Sequence, residues 1–101
     1  MLQFFNYNIT LLEKDTFVSL TELEKLNIFK CGLRTIQLGA FNGLTKLTGL
    51  SLVFNKIRAI IPGTFETTNI LKNLDKGNNG IVHVDSAVFS GLVNLRRVML
   101  V

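Results

Sequence analysis

Leu47-Thr48-Gly49-Leu50-Ser51-Leu52-Val53-Phe54-Asn55-Lys56-Ile57 is the stretch from which the fold follows. Leu50 and Leu52 alternate with Ser51, the two-residue period of an extended strand with one buried face. The same order of residue types returns upstream and downstream at a spacing of 24 residues. Leu23, Leu47, Leu71 and Leu95 form one column, and Phe17, Phe41, Phe65 and Phe89 form another. Leu2, Leu26, Leu50, Leu74 and Val98 make a third, followed by Phe4, Ile28, Leu52, Lys76 and Leu100. Then come Tyr7, Cys31, Asn55 and Asn79; Ile9, Leu33, Ile57 and Ile81; and Leu12, Ile36, Ile60 and Val84. Leu20, Leu44 and Leu92 close the unit, with Thr68 as the exception. Columns that hold register without slippage identify an internal repeat, and that period governs every other reading of the chain.

Each unit reads L-x-x-L-x-L-x-x-N/C-x-L, followed by a second half ending F-x-x-L. This pattern resembles the leucine-rich repeat family, in the 24-residue class found mostly in extracellular proteins, and the resemblance covers the whole chain. It implies a single array over residues 1–101, with a partial repeat at 1–22, complete repeats at 23–46, 47–70 and 71–94, a partial repeat at 95–101, and no capping modules. The implied fold is an α/β solenoid. In that fold a right-handed coil carries a parallel β-sheet on its concave face and mostly irregular or 3-10 segments on its convex side.

The residue types explain why such a unit would coil. The alternating segments predict strands near 2–5, 26–29, 50–53, 74–77 and 98–101, stacked about 4.8 Å apart. A buried amide after each strand can donate to carbonyls and accept from an amide of the next turn, satisfying backbone groups that the bend would orphan. Asn55 and Asn79 are the candidates for that ladder, and Cys31 takes the same column as a buried structural thiol. Tyr7 departs from the column, which leaves the first ladder position open. Phe17, Phe41, Phe65 and Phe89 predict a stacked spine on the convex side, whose bulk curves the coil. Lys76 stands where a core leucine belongs, and a buried unpaired ammonium is costly. Either this repeat is locally weak, or the position is adapted to a ligand or a neighbouring chain.

Composition narrows the function classes. The chain is 48% hydrophobic and 18% charged, as a packed protein is. Eleven Lys and Arg against seven Asp and Glu leave a net charge of +4, spread without a basic run. That distribution points away from nucleic acid and leaves a weak preference for acidic partners. One cysteine allows no intrachain disulfide and no zinc cluster. No apolar run approaches the ~20 residues of a membrane span, and Met1–Phe5 lacks the basic leader and cleavage site of a signal peptide. Both ends fall mid-strand, which predicts open edges. The chain then reads as an internal piece of a longer ectodomain with flanking repeats, or as one that self-associates through its ends or its concave face.

Recognition, where it occurs, would use the outward strand residues. The exposed columns bring forward Phe5, Lys25, Asn27, Phe29, Lys30, Ser51, Val53, Phe54, Asn73, Asp75 and Arg97 as ligand-binding candidates. Phe5, Phe29 and Val53 should be neighbours across three turns with Phe54 beside them, rimmed by Lys25, Lys30 and Asn27. An aromatic stripe at positions normally polar predicts an interaction patch. Otherwise the rings cover their own neighbours or meet flanking sequence. Asn8-Ile9-Thr10 is an N-glycosylation sequon. His83, in a predicted connecting turn, has no cysteine near it in the repeat frame. Glu13, Lys14 and Asp15 form a mixed charged turn, and Gly77-Asn78-Asn79-Gly80 lacks the form of a phosphate loop. No catalytic residues, metal ligands or cofactors are indicated.

The resemblance extends to Toll-like receptor ectodomains and secreted leucine-rich immune proteins. It implies a non-catalytic module, extracellular or at the cell surface, that recognises a protein or a pathogen-derived ligand on its concave strand face. The alternative is a structural or scaffold segment, in matrix, adhesion or the cell interior, with no specific ligand of its own.

Overall fold

The computed structural model describes residues 1–60, 62–65, 73–75, 83–84 and 97–99, the last three groups as strand backbone. Five parallel strands form the main sheet: β1 (Leu2–Phe5), β3 (Lys25–Phe29), β5 (Gly49–Ser51), β7 (Asn73–Asp75) and β9 (Arg97–Met99), in that spatial order. The register follows the repeat: Leu2 pairs with Leu26, Leu26 with Leu50, Leu50 with Leu74, and Leu74 with Val98. A parallel pairing needs a crossover between strands, and here each crossover is the remainder of one repeat. No helix occurs among the described residues.

The later strands begin one residue before the positions expected from sequence, at Lys25, Gly49, Asn73 and Arg97, and β5 ends at Ser51. The early end has a local cause. Past Ser51 the Asn55 side chain turns back on its own segment, with Nδ2 3.1 Å from the Leu52 carbonyl and 3.3 Å from that of Val53. A side chain that takes these carbonyls competes with the ladder there, leaving one long inter-turn bond, from Lys30 N–H to Val53 O at 3.4 Å.

Asn55 is 7% exposed and joins two turns. Its Oδ1 accepts from the N–H groups of Cys31 at 2.9 Å and Leu33 at 3.2 Å, and its Nδ2 donates to Ile28 O at 2.7 Å. Cys31 sits one turn earlier, with its sulfur 3.6 Å from Phe4 O and 3.3 Å from Phe29 O. These carbonyls lie 27 and 2 residues back, the offsets at which Asn55 meets Ile28 and Val53. The thiol thus stands where the amide donor would be, but it brings no oxygen acceptor. The Ile9 N–H, which corresponds to that of Leu33, donates to the Cys31 backbone carbonyl at 2.9 Å instead. Tyr7 is 63% exposed and places its ring edge-on to Phe4, outside any such ladder.

Behind the main sheet the segments are more regular than irregular convex loops. Leu11–Leu12 (β2) pairs with Thr35–Ile36 (β4), and Ala59–Ile60 (β6) pairs with His83–Val84 (β8). His83 therefore lies in a short strand and not in a connecting turn. Neighbouring turns present N–H and C=O groups at equal height there, so they pair. Single turns follow, closed by bonds such as Val18 N–H to Asp15 O and Asn42 N–H to Gly39 O. One glycine is required among them. Gly43 has φ +91°, and a Cβ there would lie 2.3 Å from the Val18 carbonyl oxygen.

The core lies between the main sheet and these turns. Phe17 stacks on Phe41 at 6.5 Å and 5°, and Phe41 on Phe65 at 5.9 Å and 12°. Phe41 and Phe65 are each 1% exposed. Leu26 and Ile28 are fully buried, whereas Leu2 and Phe4, in the same columns of the first turn, are half-buried. A turn covered on both sides buries what a turn covered on one side leaves open, the nearest-neighbour energetics of stacked repeats. Phe89, Asn79, Lys76 and Thr68 lie outside the described residues.

Candidate functional site

The pleat of the main sheet decides which side chains face outward. Along β3, Leu26 and Ile28 point into the core while Lys25, Asn27 and Phe29 alternate with them. Gln3 and Phe5 do the same on β1, and Gly49 and Ser51 on β5. The outer face thus carries Phe5, Lys25, Asn27, Phe29 and Ser51. The backbones of Asn73 and Arg97 continue the Lys25–Gly49 column, and that of Asp75 continues the Asn27–Ser51 column.

Three aromatic rings form one row across this face. Phe29 is central, 5.2 Å from Phe5 with a tilt of 31° and 5.3 Å from Phe54 with rings at 60°. Phe5 is 49% exposed and Phe54 47%. These spacings are those of favourable aromatic pairs, so the row holds its shape while leaving its faces open. Val53 is half-buried, and its carbonyl accepts from Lys30 N–H at 3.4 Å. Phe54, not Val53, is the ring-bearing third member of the row.

Backbone conformation brings Phe54 there. Asn6, Lys30 and Phe54 occupy the same step of successive turns and have φ of +60°, +55° and +56°. This left-handed step reverses the chain as it leaves the strand. Asparagine adopts it readily, but a bulky residue does so at a cost of about 1–2 kcal/mol. Sequence reading placed Phe54 only beside the stripe. The signal that could have moved it was its column, which otherwise holds Asn6, Lys30 and Asn78.

Lys25 shares this face, and Lys30 and Lys56 lie close to Phe29 and Phe54 in sequence. Lys25, Lys30 and Lys56 are exposed, and none is ion-paired among the described residues, where the ion pair found is Lys46–Glu22 at 2.8 Å. The Lys25 stem lies over Gly49, its Cγ 3.5 Å from where a Cβ would stand. The absent side chain at 49 therefore gives that stem its path across the sheet. Lys46 lies away from this face, in a turn segment. The hydrogen bond to Glu22, reinforced by the Glu22 charge, raises its ammonium above the ordinary lysine value.

Asn8 and Thr10 are exposed, so the sequon is open to modification. Among the described residues no group of His, Cys, Asp and Glu could hold a metal ion, and no helix is long and apolar enough to cross a membrane. The side chains of Asn73, Asp75 and Arg97 are outside what the structure describes.

The stacked, 24-residue register has its match in known sequence. The family model described as "Leucine rich repeat" fits residues 4–57, 22–79 and 45–101. The chain belongs to the leucine-rich repeat family. It is also similar to Toll-like receptor 3 of Bos taurus, with 38% identity over 82 residues, covering 79% of this chain and 9% of that receptor. The chain thus spans about 9% of the length of the curated relative it matches. Leucine-rich repeats stack into solenoids in which each unit buries its apolar face against its neighbours, and their typical role is recognition, not catalysis. Here the side chains that the stacking does not bury include Phe5 and Phe54 of the aromatic row.

Proposed function

We propose that this chain is part of a ligand-recognition array of an extracellular or cell-surface receptor, or of a secreted immune-type protein. It engages a protein or pathogen-derived ligand through its strand face. Successive repeats coil right-handedly with that face concave, as one array from 1 to 101 continued by flanking repeats. The carrying observation is the Phe5–Phe29–Phe54 row, whose outer rings Phe5 and Phe54 are exposed, with Lys25, Lys30 and Lys56 exposed and not ion-paired among the described residues. Its rings do not cover one another fully, and such patches mark interaction sites. The similarity to a receptor supports the extracellular setting, and the exposed Asn8 sequon is consistent with it.

Light scattering coupled to size-exclusion chromatography, on the chain and on its Phe5→Ser/Phe29→Ser variant, tests this reading. The row is adhesive if the parent chain associates and the folded variant is monomeric. Equal association of both would transfer the stickiness elsewhere and favour a structural or scaffold segment without a ligand of its own.

A further inference from the structure

A second feature lies off the strand face, between two consecutive turns. Residues 34–38, with Arg58, Ile60 and Thr64, line a depression of about 430 Å³. Arg34 and Arg58 occupy the same step of neighbouring repeats and both line it. None of the described residues that line it carries a carboxyl group. Neither guanidinium is ion-paired among the described residues, although both are exposed. Two like charges on one wall repel, and no described residue of the lining offsets them.

The remaining lining fits the same kind of ligand. Gln37 Oε1 accepts from Lys14 N–H at 2.9 Å, which fixes the carboxamide and leaves its NH2 group as a donor. The Arg34 N–H donates to Thr10 O at 2.9 Å, holding that segment in place. Beside these donors stand Ile36, half-buried, and Ile60, 5% exposed, with Leu38 at the rim, 54% exposed. The depression therefore combines two guanidinium forks and an amide donor with an apolar wall. Such forks match oxyanions in a paired, planar geometry. The exposed leucine offers contact to hydrocarbon.

We propose that this depression binds a small amphipathic oxyanion, its carboxylate, sulfate or phosphate head between Arg34 and Arg58 and its hydrocarbon body along Ile36 and Leu38. This site is independent of the aromatic row.

The test is an amide-resolved NMR titration of the whole chain with hexyl sulfate, hexyl phosphate and hexanoate, all below micellar concentration. Hexanol, inorganic sulfate and hexylammonium serve as controls. The hexyl oxyanions should shift amides of 34–38 and 58–64 and bind at least about ten times tighter than hexanol or inorganic sulfate, with hexylammonium not binding. The ranking of the three heads then identifies the source chemistry. Arg34→Gln and Arg58→Gln should each weaken binding about tenfold, as loss of a charge-assisted hydrogen bond does, with spectra otherwise unchanged because both side chains are exposed. Leu38→Ser should weaken the hexyl oxyanions and leave inorganic sulfate unaffected. Phe29→Ser should change nothing. Equal binding of hexanol and hexyl sulfate, full affinity in the double arginine variant, or shifts confined to the Phe5–Phe29–Phe54 face would each overturn the proposal.

Discussion

Replacing Asn55 by alanine removes hydrogen bonds to four buried backbone groups at once. The Cys31 and Leu33 N–H groups lose their acceptor, and the Ile28 carbonyl loses its donor at 2.7 Å. The Leu52 carbonyl also loses a bond, at 3.1 Å, but Leu52 is not left without interactions, and the Val53 carbonyl keeps the Lys30 N–H at 3.4 Å, so the main cost falls on the other three groups. An orphaned buried polar group costs about 1–3 kcal/mol. The three together should cost about 3–5 kcal/mol, the lower part of the range, because the space vacated by the amide admits water. Against a total stability of about 5–15 kcal/mol for a domain, that is a large fraction. A second variant sharpens the reasoning. Cys31 shows that a thiol at this step reaches the carbonyls 27 and 2 residues back. Asn55→Cys should therefore retain a donor but no acceptor, and lose about 1 kcal/mol less than Asn55→Ala. Urea unfolding followed by far-ultraviolet circular dichroism gives both values from the midpoint at constant slope. A loss below about 1 kcal/mol for Asn55→Ala, or a cysteine variant less stable than the alanine one, would refute the ladder as the source of stability.

Other perturbations separate stacking from surface. Phe41→Ala removes the ring between Phe17 and Phe65 and should cost about 3–5 kcal/mol in the same assay. Phe54→Asn gives up one ring contact, at 5.3 Å, but relieves the left-handed strain. The two effects nearly cancel, so stability should change by less than about 1 kcal/mol, and a loss above twice that would make Phe54 a packing residue instead of a free surface. Gly43→Ala meets the Val18 carbonyl at 2.3 Å, whereas Gly32→Ala, at φ +72°, meets nothing within 4 Å. The second should cost only the conformational 1–2 kcal/mol or so, and the first clearly more. Secretion from a eukaryotic host should add a glycan at Asn8, seen as a mass increase that Thr10→Ala abolishes. An unmodified secreted chain would remove the sequon from the extracellular case.

The 24-residue columns determined the repeat, the order of the main-sheet strands and their pairing of Leu2 with Leu26 and Leu26 with Leu50. They could do so because a stacked repeat places equal positions at equal heights, so sequence spacing becomes spatial adjacency. Lys25, Asn27 and Phe29 were legible as outward residues for the related reason that side chains alternate along a strand. The role of Asn55 as a ladder amide was legible too, but the extent of each strand and the backbone conformation were not. The end of β5 at Ser51 depends on where the Asn55 amide finds carbonyls, and the strand at His83 depends on two turns meeting at one height. Phe54 joins the aromatic row because its φ is +56°, a value its residue type disfavours and only its place in the stacked repeat imposes. The pairing of Arg34 with Arg58 around one depression was likewise decided in three dimensions. Periodicity sets which residues stack, but the shape between turns depends on how far each side chain fills the space that stacking leaves.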